Sequence, residues 1–333
     1  MTLYYRPLAL GDGLPLAGGP LRFTRVDVRA RGEAGRIIAA DTLPDDVLAA
    51  LTRPRPAVAG LPADRTAIMG ILNVTPDSFS DGGRHAAPDT AIAAARAMAA
   101  AGADIVDIGA ESTRPGAAPV DAATERARLA AVWPALEGLN WSIDTRKASV
   151  MAQALDAGAA LVNDVSALGH DPDALALVAA RGCPVVLMHA QGQPETMQAD
   201  PAYGDALLDV YDWLAARIAL CEAAGIARER IIADPGIGFG KTLAHNLALL
   251  RGLTLFHGLG VPLLLGASRK ALIGRLAGPA PFGAKTGNDV PPAARLPGSL
   301  ALALHAAACG VQVVRVHDVP ETAQALAVWR ATL

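Results

Sequence analysis

The sequence predicts an α/β fold, a (β/α)8 TIM barrel with an N-terminal extension, and three observations carry that expectation. From Ile68 onward, eight short runs rich in β-branched residues alternate with Ala-rich stretches, as repeated βα units around a parallel sheet would. Seven of the eight runs end on a polar group. A barrel gathers such ends on one rim, where they serve a site, instead of in the core, where they are costly. A chain of 333 residues with 52% hydrophobic content can bury one core of that size. A doubly wound open sheet also alternates strands and helices, so it is the repetition of polar strand ends that favours closure.

In chain order, residues 1–65 read as the extension, with a strand over Leu21–Arg31 and a Pro-rich stretch Pro54–Pro62, placed to cover the bottom of the barrel. The barrel is expected over residues 66–333. Its strands are expected at Ile68–Val74, Asp104–Gly109, Trp141–Thr145, Leu161–Ser166, Pro184–Ala190, Ile231–Gly236, Pro262–Ser268 and Val311–Asp318. Between them lie helices such as Thr90–Ala101 and Thr124–Leu136, whose alanines let an outer ring approach the sheet closely. The Pro/Gly-rich stretch Gly278–Gly298 is expected as a loop of the seventh unit. The polar strand ends are Asn73, Asp107, Asp144, Asn163, His189, Asp234 and the pair Arg315/His317; the remaining strand delivers Ser268, Arg269 and Lys270 into its turn.

Composition narrows the function. A net charge of −3 provides no basic stripe for nucleic-acid phosphates or an anionic bilayer. No apolar run approaches the roughly 18 residues of a membrane span, and Met1–Leu16 lacks the basic-then-apolar order of a secretory signal, so a cytoplasmic location is expected. Cys183, Cys221 and Cys309 are far apart and in no metal-type spacing. Partners are expected to be small molecules.

The first strand opens into Asn73-Val-Thr-Pro-Asp-Ser-Phe-Ser-Asp-Gly-Gly83, dense in oxygen donors and permissive glycines, which suits gathering oxygens around a magnesium-bound diphosphate. After the second strand comes Glu111-Ser-Thr-Arg-Pro-Gly116; Arg114 is either a cationic fork for substrate or a surface partner of Glu111. Asp144, Asn163 and Asp234 offer two acceptors and one group that both donates and accepts, which complements the edge of a pterin ring; each alone also suits a helix cap. Arg315 and His317 share one face of the last strand and point into the mouth as an anion site. The run Asp234-Pro-Gly-Ile-Gly-Phe-Gly-Lys-Thr242 is not a Walker loop, because Pro235 stands where its first glycine belongs. Its glycines instead bring backbone close to a flat ring, with Phe239 or Ile237 as the packing surface.

Together, Ile71 to Gly83, Asp107 to Gly116, Ser142 to Thr145, Asn163-Asp164, Met188-His189, Asp234 to Lys241, Ser268 to Lys270 and Arg315 to His317 resemble the dihydropteroate synthases, in order and over about residues 68–331. The resemblance implies condensation of 6-hydroxymethyl-7,8-dihydropterin diphosphate with 4-aminobenzoate, by an SN1-like path, to 7,8-dihydropteroate and diphosphate. It implies Mg2+ held with the help of Asn73, the anion met by Thr113, Arg315 and His317, and the pterin held by Asp144, Asn163, Asp234 and Lys270. Met188 and Phe239 would line the pterin pocket, and Arg114, Pro115 and Lys270 would border the aminobenzoate. Lys270, Arg315 and Asp144 are the residues expected to carry the reaction, in a homodimer formed by helices away from the rim. The chain departs from the common family pattern at Ala110, Ala190, Ile237 and Ala271; the last borders the amine pocket and bears on sulfonamide mimics.

Other readings compete. A methyltetrahydrofolate-dependent methyltransferase shares a pterin-binding barrel but has no use for Asn73, Arg315 and His317 as diphosphate ligands. A Schiff-base aldolase would use Lys270 as its amine. A non-catalytic pterin-binding barrel would keep the pterin wall alone.

Overall fold

The computed structural model describes residues 1–74, 86–112, 117–194, 196–277 and 290–333. Thr113, Arg114 and Pro115, most of the oxygen-rich segment that follows Asn73, and residues 278–289 lie outside them.

The extension is a three-stranded antiparallel sheet, β1 (Tyr4–Pro15), β2 (Arg22–Arg29) and β3 (Arg36–Ala39), followed by helix α1 (Asp45–Thr52). Only β2 is legible as an alternating run. The register of β1 shifts between Ala9 and Leu14, both of which pair with Phe23, so a bulge interrupts its alternation. Gly13 sits inside it with φ +118, where a Cβ would lie 2.4 Å from the Phe23 carbonyl oxygen. The sheet closes its own small core of Leu16, Phe23, Val26, Val28, Ala40, Leu43 and Leu51.

Eight parallel strands follow: β4 (Ala67–Asn73), β5 (Ile105–Gly109), β6 (Trp141–Asp144), β7 (Leu161–Asp164), β8 (Val185–Met188), β9 (Ile231–Asp234), β10 (Leu264–Leu265) and β11 (Val313–Val316). Their order is β10-β11-β4-β5-β6-β7-β8-β9, and a parallel bridge from Ala233 to Leu263 joins the two ends into a barrel. Most strands are shorter than the expected runs, and β10 keeps two residues of the seven expected, while β4 starts one residue earlier than expected. Helices α2 (Ala86–Ala100), α3 (Ala122–Ala130), α4 (Ala148–Asp156), α5 (Ala174–Arg181), α6 (Ala206–Ala223), α7 (Leu243–Arg251), α8 (Ala271–Ala277), α9 (Leu296–Ala308) and α10 (Val319–Ala331) fill the crossovers. The single helix expected over Thr124–Leu136 is broken. It stops at Ala130 and resumes as a 3-10 turn, Trp133–Leu136, because Pro134 cannot continue the helical hydrogen bonding. The expected loop ending at Gly298 ends earlier, as α9 starts at Leu296 with Pro297 in its first turn.

The extension meets the barrel twice. The sheet lies on its flank: Tyr4 donates to Asp212 of α6 at 2.8 Å, Arg31 bridges Asp209 and Asp212, and the Thr254 hydroxyl donates to the Pro7 carbonyl at 2.6 Å. The Pro-rich stretch then runs under the barrel, where Val58 and Leu61 pack against the inward side chains Ala67, Met69, Ile105, Leu161, Val186, Ile232, Leu264 and Val313. Two residues thus plug the floor that eight strands leave open. Leu61→Ala is expected to lower stability by about 2–5 kcal/mol, the range for opening a core cavity, while leaving ligand affinity at the far end intact. Denaturant unfolding and ligand titration of the same variant check both parts.

Candidate active site

Because side chains alternate along a strand, the residues two positions beyond the floor layer also point inward. They include Asp107, Asn163, Met188, Asp234 and Arg315, with Ile71 from β4, and are joined from β6 by Ser142 and Asp144. The barrel interior therefore changes from aliphatic to polar within one repeat.

Arg315 is the hub of that layer. Its Nε donates to Asp107 and its Nη2 to Asp144, each at 2.6 Å. Asp107, fully buried, also accepts from the Ser142 hydroxyl at 2.6 Å and the Asn163 amide at 2.8 Å. Two carboxylates share one guanidinium, and the second oxygen of Asp144 is buried with no hydrogen-bond partner among the described residues. Burial pushes the Asp144 carboxyl up, to about 7, against the pull of Arg315 and with help from the neighbouring charge of Asp107. Asp234 is raised as well, chiefly by burial, with the Gly236 amide and Lys270 opposing. One of its oxygens is spent on that amide at 2.7 Å. Burial likewise lowers Arg315's charge preference, but the two aspartates outweigh it and the guanidinium stays ionised.

Lys270 reaches the same mouth from the turn after β10. Arg269 holds that turn open with a left-handed backbone, φ +55, its amide bonded to the Ser299 hydroxyl and its side chain paired with Asp318. The middle residue of Ser-Arg-Lys is thus structural, and it aims its neighbour: the Lys270 ammonium sits 3.8 Å from the centre of the Phe239 ring, a cation–π distance. His317 points inward beyond Arg315, its Nδ1 3.0 Å from the Ser268 hydroxyl. Asn73 ends β4, half-buried, on the strand beside β11. Met188 is buried at the end of β8, and beside it and Phe239 opens a cavity of about 250 Å³ that reaches Val165, Ala190 and Trp213. Ile237 is no part of the mouth; it packs in the hydrophobic core, so Phe239 alone supplies the flat surface.

Three groups play parts that the sequence did not announce. Asp107, one strand end among many, is the buried acceptor that harnesses Arg315. Glu111 accepts from Arg146 and Lys147, each at 2.9 Å, and from the Val120 amide at 3.0 Å; its pairing with Arg114 lies outside the described residues. His189 turns out to be a neutral partner of Lys241, whose ammonium lies 2.9 Å from its Nδ1; burial and that cation hold the imidazole down at about 3. The only advance signal of these pairings was residue type at a strand end.

Chemically, the mouth combines acceptors deep in the barrel with cations and an imidazole at its rim. That suits a flat heterocycle with donor groups on one edge and an anionic substituent pointing outward. A hard cation that keeps waters and substrate oxygens needs only one or two protein oxygens. Asn73 can supply one, and no group of three metal-binding side chains occurs among the described residues.

Comparison with known proteins agrees. The family model described as pterin binding enzyme matches residues 69–317, so the sheet of the extension precedes the matched region. The dihydropteroate synthase of Escherichia coli strain K12 is 47% identical over 272 residues, covering 80% of this chain and 91% of that one. That of Neisseria meningitidis serogroup B is 48% identical over 274 residues, covering 79% and 92%. Among solved structures, Xanthomonas albilineans dihydropteroate synthase with 4-aminobenzoic acid is 45% identical with a TM-score of 0.75, covering 84% of this chain and 98% of that one. The same organism's enzyme in complex with 7,8-dihydropteroate gives 43% and 0.72 over the same shares.

Proposed function

Since the chain belongs to the dihydropteroate synthase family of pterin-binding enzymes, we propose that its barrel mouth joins 6-hydroxymethyl-7,8-dihydropterin diphosphate to 4-aminobenzoate, with the roles divided as follows. The observation that carries this division is the inward polar layer: Asp144, Asn163 and Asp234 are buried near the C-terminal ends of their strands, and Lys270 reaches the same mouth over the Phe239 ring. The amino and ring N–H groups of the pterin meet the carboxylates, and Lys270 meets its carbonyl side. Met188 and Phe239 cover the apolar faces. Thr113 belongs to the anion side of this reading, and Arg114 and Pro115 to the amine side.

The reaction breaks the bond between the exocyclic methylene and the diphosphate oxygen, and the electron pair leaves with diphosphate. The electron-rich dihydropterin spreads the positive charge left on that carbon, and the lone pair of the aromatic amine then forms the new C–N bond and sheds a proton. Acidic side chains around a water-poor site stabilise such a cation. His317 and the free edge of Arg315 face the departing oxygens, with Asn73 as the protein's share of a Mg2+ site. When bound, Mg2+ neutralises diphosphate charge. Because Asp107 and Asp144 already engage two of its nitrogens, Arg315 orients as much as it neutralises. Residues that favour diphosphate departure speak against a methyltransferase.

Purified protein given pterin diphosphate, Mg2+ and 4-aminobenzoate is expected to release diphosphate and form dihydropteroate in equal amounts. Pterin binding without either product would instead establish a non-catalytic barrel. A homodimer is part of the same reading, so sedimentation should report twice the 34.0 kDa of one chain. No described helix is long and apolar enough to cross a membrane, in keeping with a proposed cytoplasmic location.

The raised carboxyl of Asp144 adds a pH dependence. A ligand that donates to it favours the ionised form, so binding must expel the proton wherever the free site is partly protonated, below about pH 7. Pterin diphosphate is therefore expected to bind more tightly at about pH 8 than at about pH 6. Calorimetry at the lower pH, in two buffers of different ionisation heat, should show proton release; proton uptake would contradict the role given to Asp144.

A further inference from the structure

Lys241 is 2% exposed, yet no carboxylate pairs with it among the described residues. Burying an ammonium without a counter-charge costs several kcal/mol unless its protons are satisfied, and burial pulls the Lys241 amine down to about 7, against the charge of Asp234. The protons it carries are all met. The Nζ donates to the carbonyl oxygens of Gly236 at 2.9 Å, Phe239 at 3.0 Å and His189 at 3.2 Å, and lies 2.9 Å from the lone pair of neutral His189. Such a lysine has no proton left for a phosphate, which disposes of the Walker-like look of the motif from a second direction.

The cage joins two loops. A Cβ at Gly236 would fall 1.9 Å from the His189 oxygen and one at Gly240 2.2 Å from the Gln191 oxygen, and both glycines have positive φ, so the backbones touch where side chains would keep them apart. The remaining groups are pinned as well. The Gly238 amide donates to Asn246 at 2.7 Å, the Gly238 oxygen accepts from Gln198 at 2.6 Å, and the Gly240 oxygen accepts from the Tyr203 hydroxyl at 2.8 Å. Phe239 stands in the middle of this clamped stretch, with the Lys270 ammonium on its ring. A Cβ on Gly238 would meet the Lys270 stem at 3.3 Å.

We infer that Lys241 is a positioning residue of the pterin site: its caged ammonium fixes the backbone on both sides of Phe239, and through that ring sets the place of Lys270. The inference rests on the reading of Phe239 and Lys270 as pterin contacts. It assigns Lys241 no contact with substrate.

The test measures the dissociation constant for pterin diphosphate, without 4-aminobenzoate, in four proteins: wild type, Lys241→Met, Phe239→Ala and the double variant. Lys241→Met keeps the chain length and removes the charge. It is expected to weaken binding by about tenfold or more, and the double variant to bind no more weakly than the worse single one, because both changes remove one device. In Lys241→Ala, propylammonium replaces the missing atoms and should restore binding, while 1-propanol, of similar size and no charge, should not. If the Met variant does not fold, the Lys241→Ala protein prepared with propylammonium supplies the comparison. Binding by Lys241→Met within about twofold of wild type, multiplying losses in the double variant, or equal rescue by 1-propanol would each overturn the inference. A wild-type protein that fails to bind pterin diphosphate would instead overturn the reading of the site.

Discussion

Arg315→Ala is expected to cost about 3–5 kcal/mol of folding stability, an unusually large effect for a residue at a ligand-binding mouth. The guanidinium is the shared partner of Asp107 and Asp144, both buried; removing it leaves Asp107 with one amide and one hydroxyl and takes from Asp144 its Arg315 partner, its other oxygen already having none among the described residues. Breaking a buried pair is costly for that reason, whereas an exposed pair would be worth about 1 kcal/mol or less. The loss should shrink as pH falls, because protonating Asp144 removes the repulsion that Arg315 suppresses. Urea unfolding of wild type and variant at neutral and acidic pH reads both quantities. A change below about 1 kcal/mol at neutral pH would mean that the harness is not carrying the charge balance of the layer. Pterin affinity should fall in the same variant, since Asp144 loses the group that orients it.

Asp234→Ala is expected to do the opposite: little to stability, and a loss of about a hundredfold or more in pterin affinity, as for two charge-assisted hydrogen bonds. Its carboxyl is raised above the unfolded value mainly by burial. A carboxyl raised in the folded state lowers stability progressively as pH climbs past its unfolded pKa, so at neutral pH its removal relieves a cost, offset by the lost bond to the Gly236 amide. Affinity has no such compensation, because ring N–H groups would be buried against nothing. Calorimetric titration with the pterin substrate and a thermal melt of the same protein separate the two effects. A variant that melts several degrees lower and binds normally would show that Asp234 serves the fold instead of the ligand.

Much of this was visible in the residues. The alternation of β-branched and Ala-rich runs is a local property, set by a period of about two along a strand, and it was enough to find all eight barrel strands and the face on which Asp144, Asn163, Asp234 and Arg315 stand. The same period went unseen in β1, where a bulge and glycines break it, and it overestimated β10, whose neighbours pair with only two of its residues. Pro134 was visible as a helix breaker, yet the Ala-rich pattern on either side of it suggested one continuous helix.

What local pattern cannot carry is which polar group answers which. Arg315 and Asp107 are 208 positions apart, and Arg315 and Asp144 171 apart; closure of the sheet makes them neighbours at 2.6 Å. Pro235 already ruled Lys241 out as a Walker lysine, but its actual partners, three loop carbonyls, exist only once the two loops meet. Residue type and strand period thus named the members of the site, because both are written in a few consecutive positions. Their charge states and partners came from the packed barrel, because desolvation and ion pairing depend on distances that exist only after the strands close.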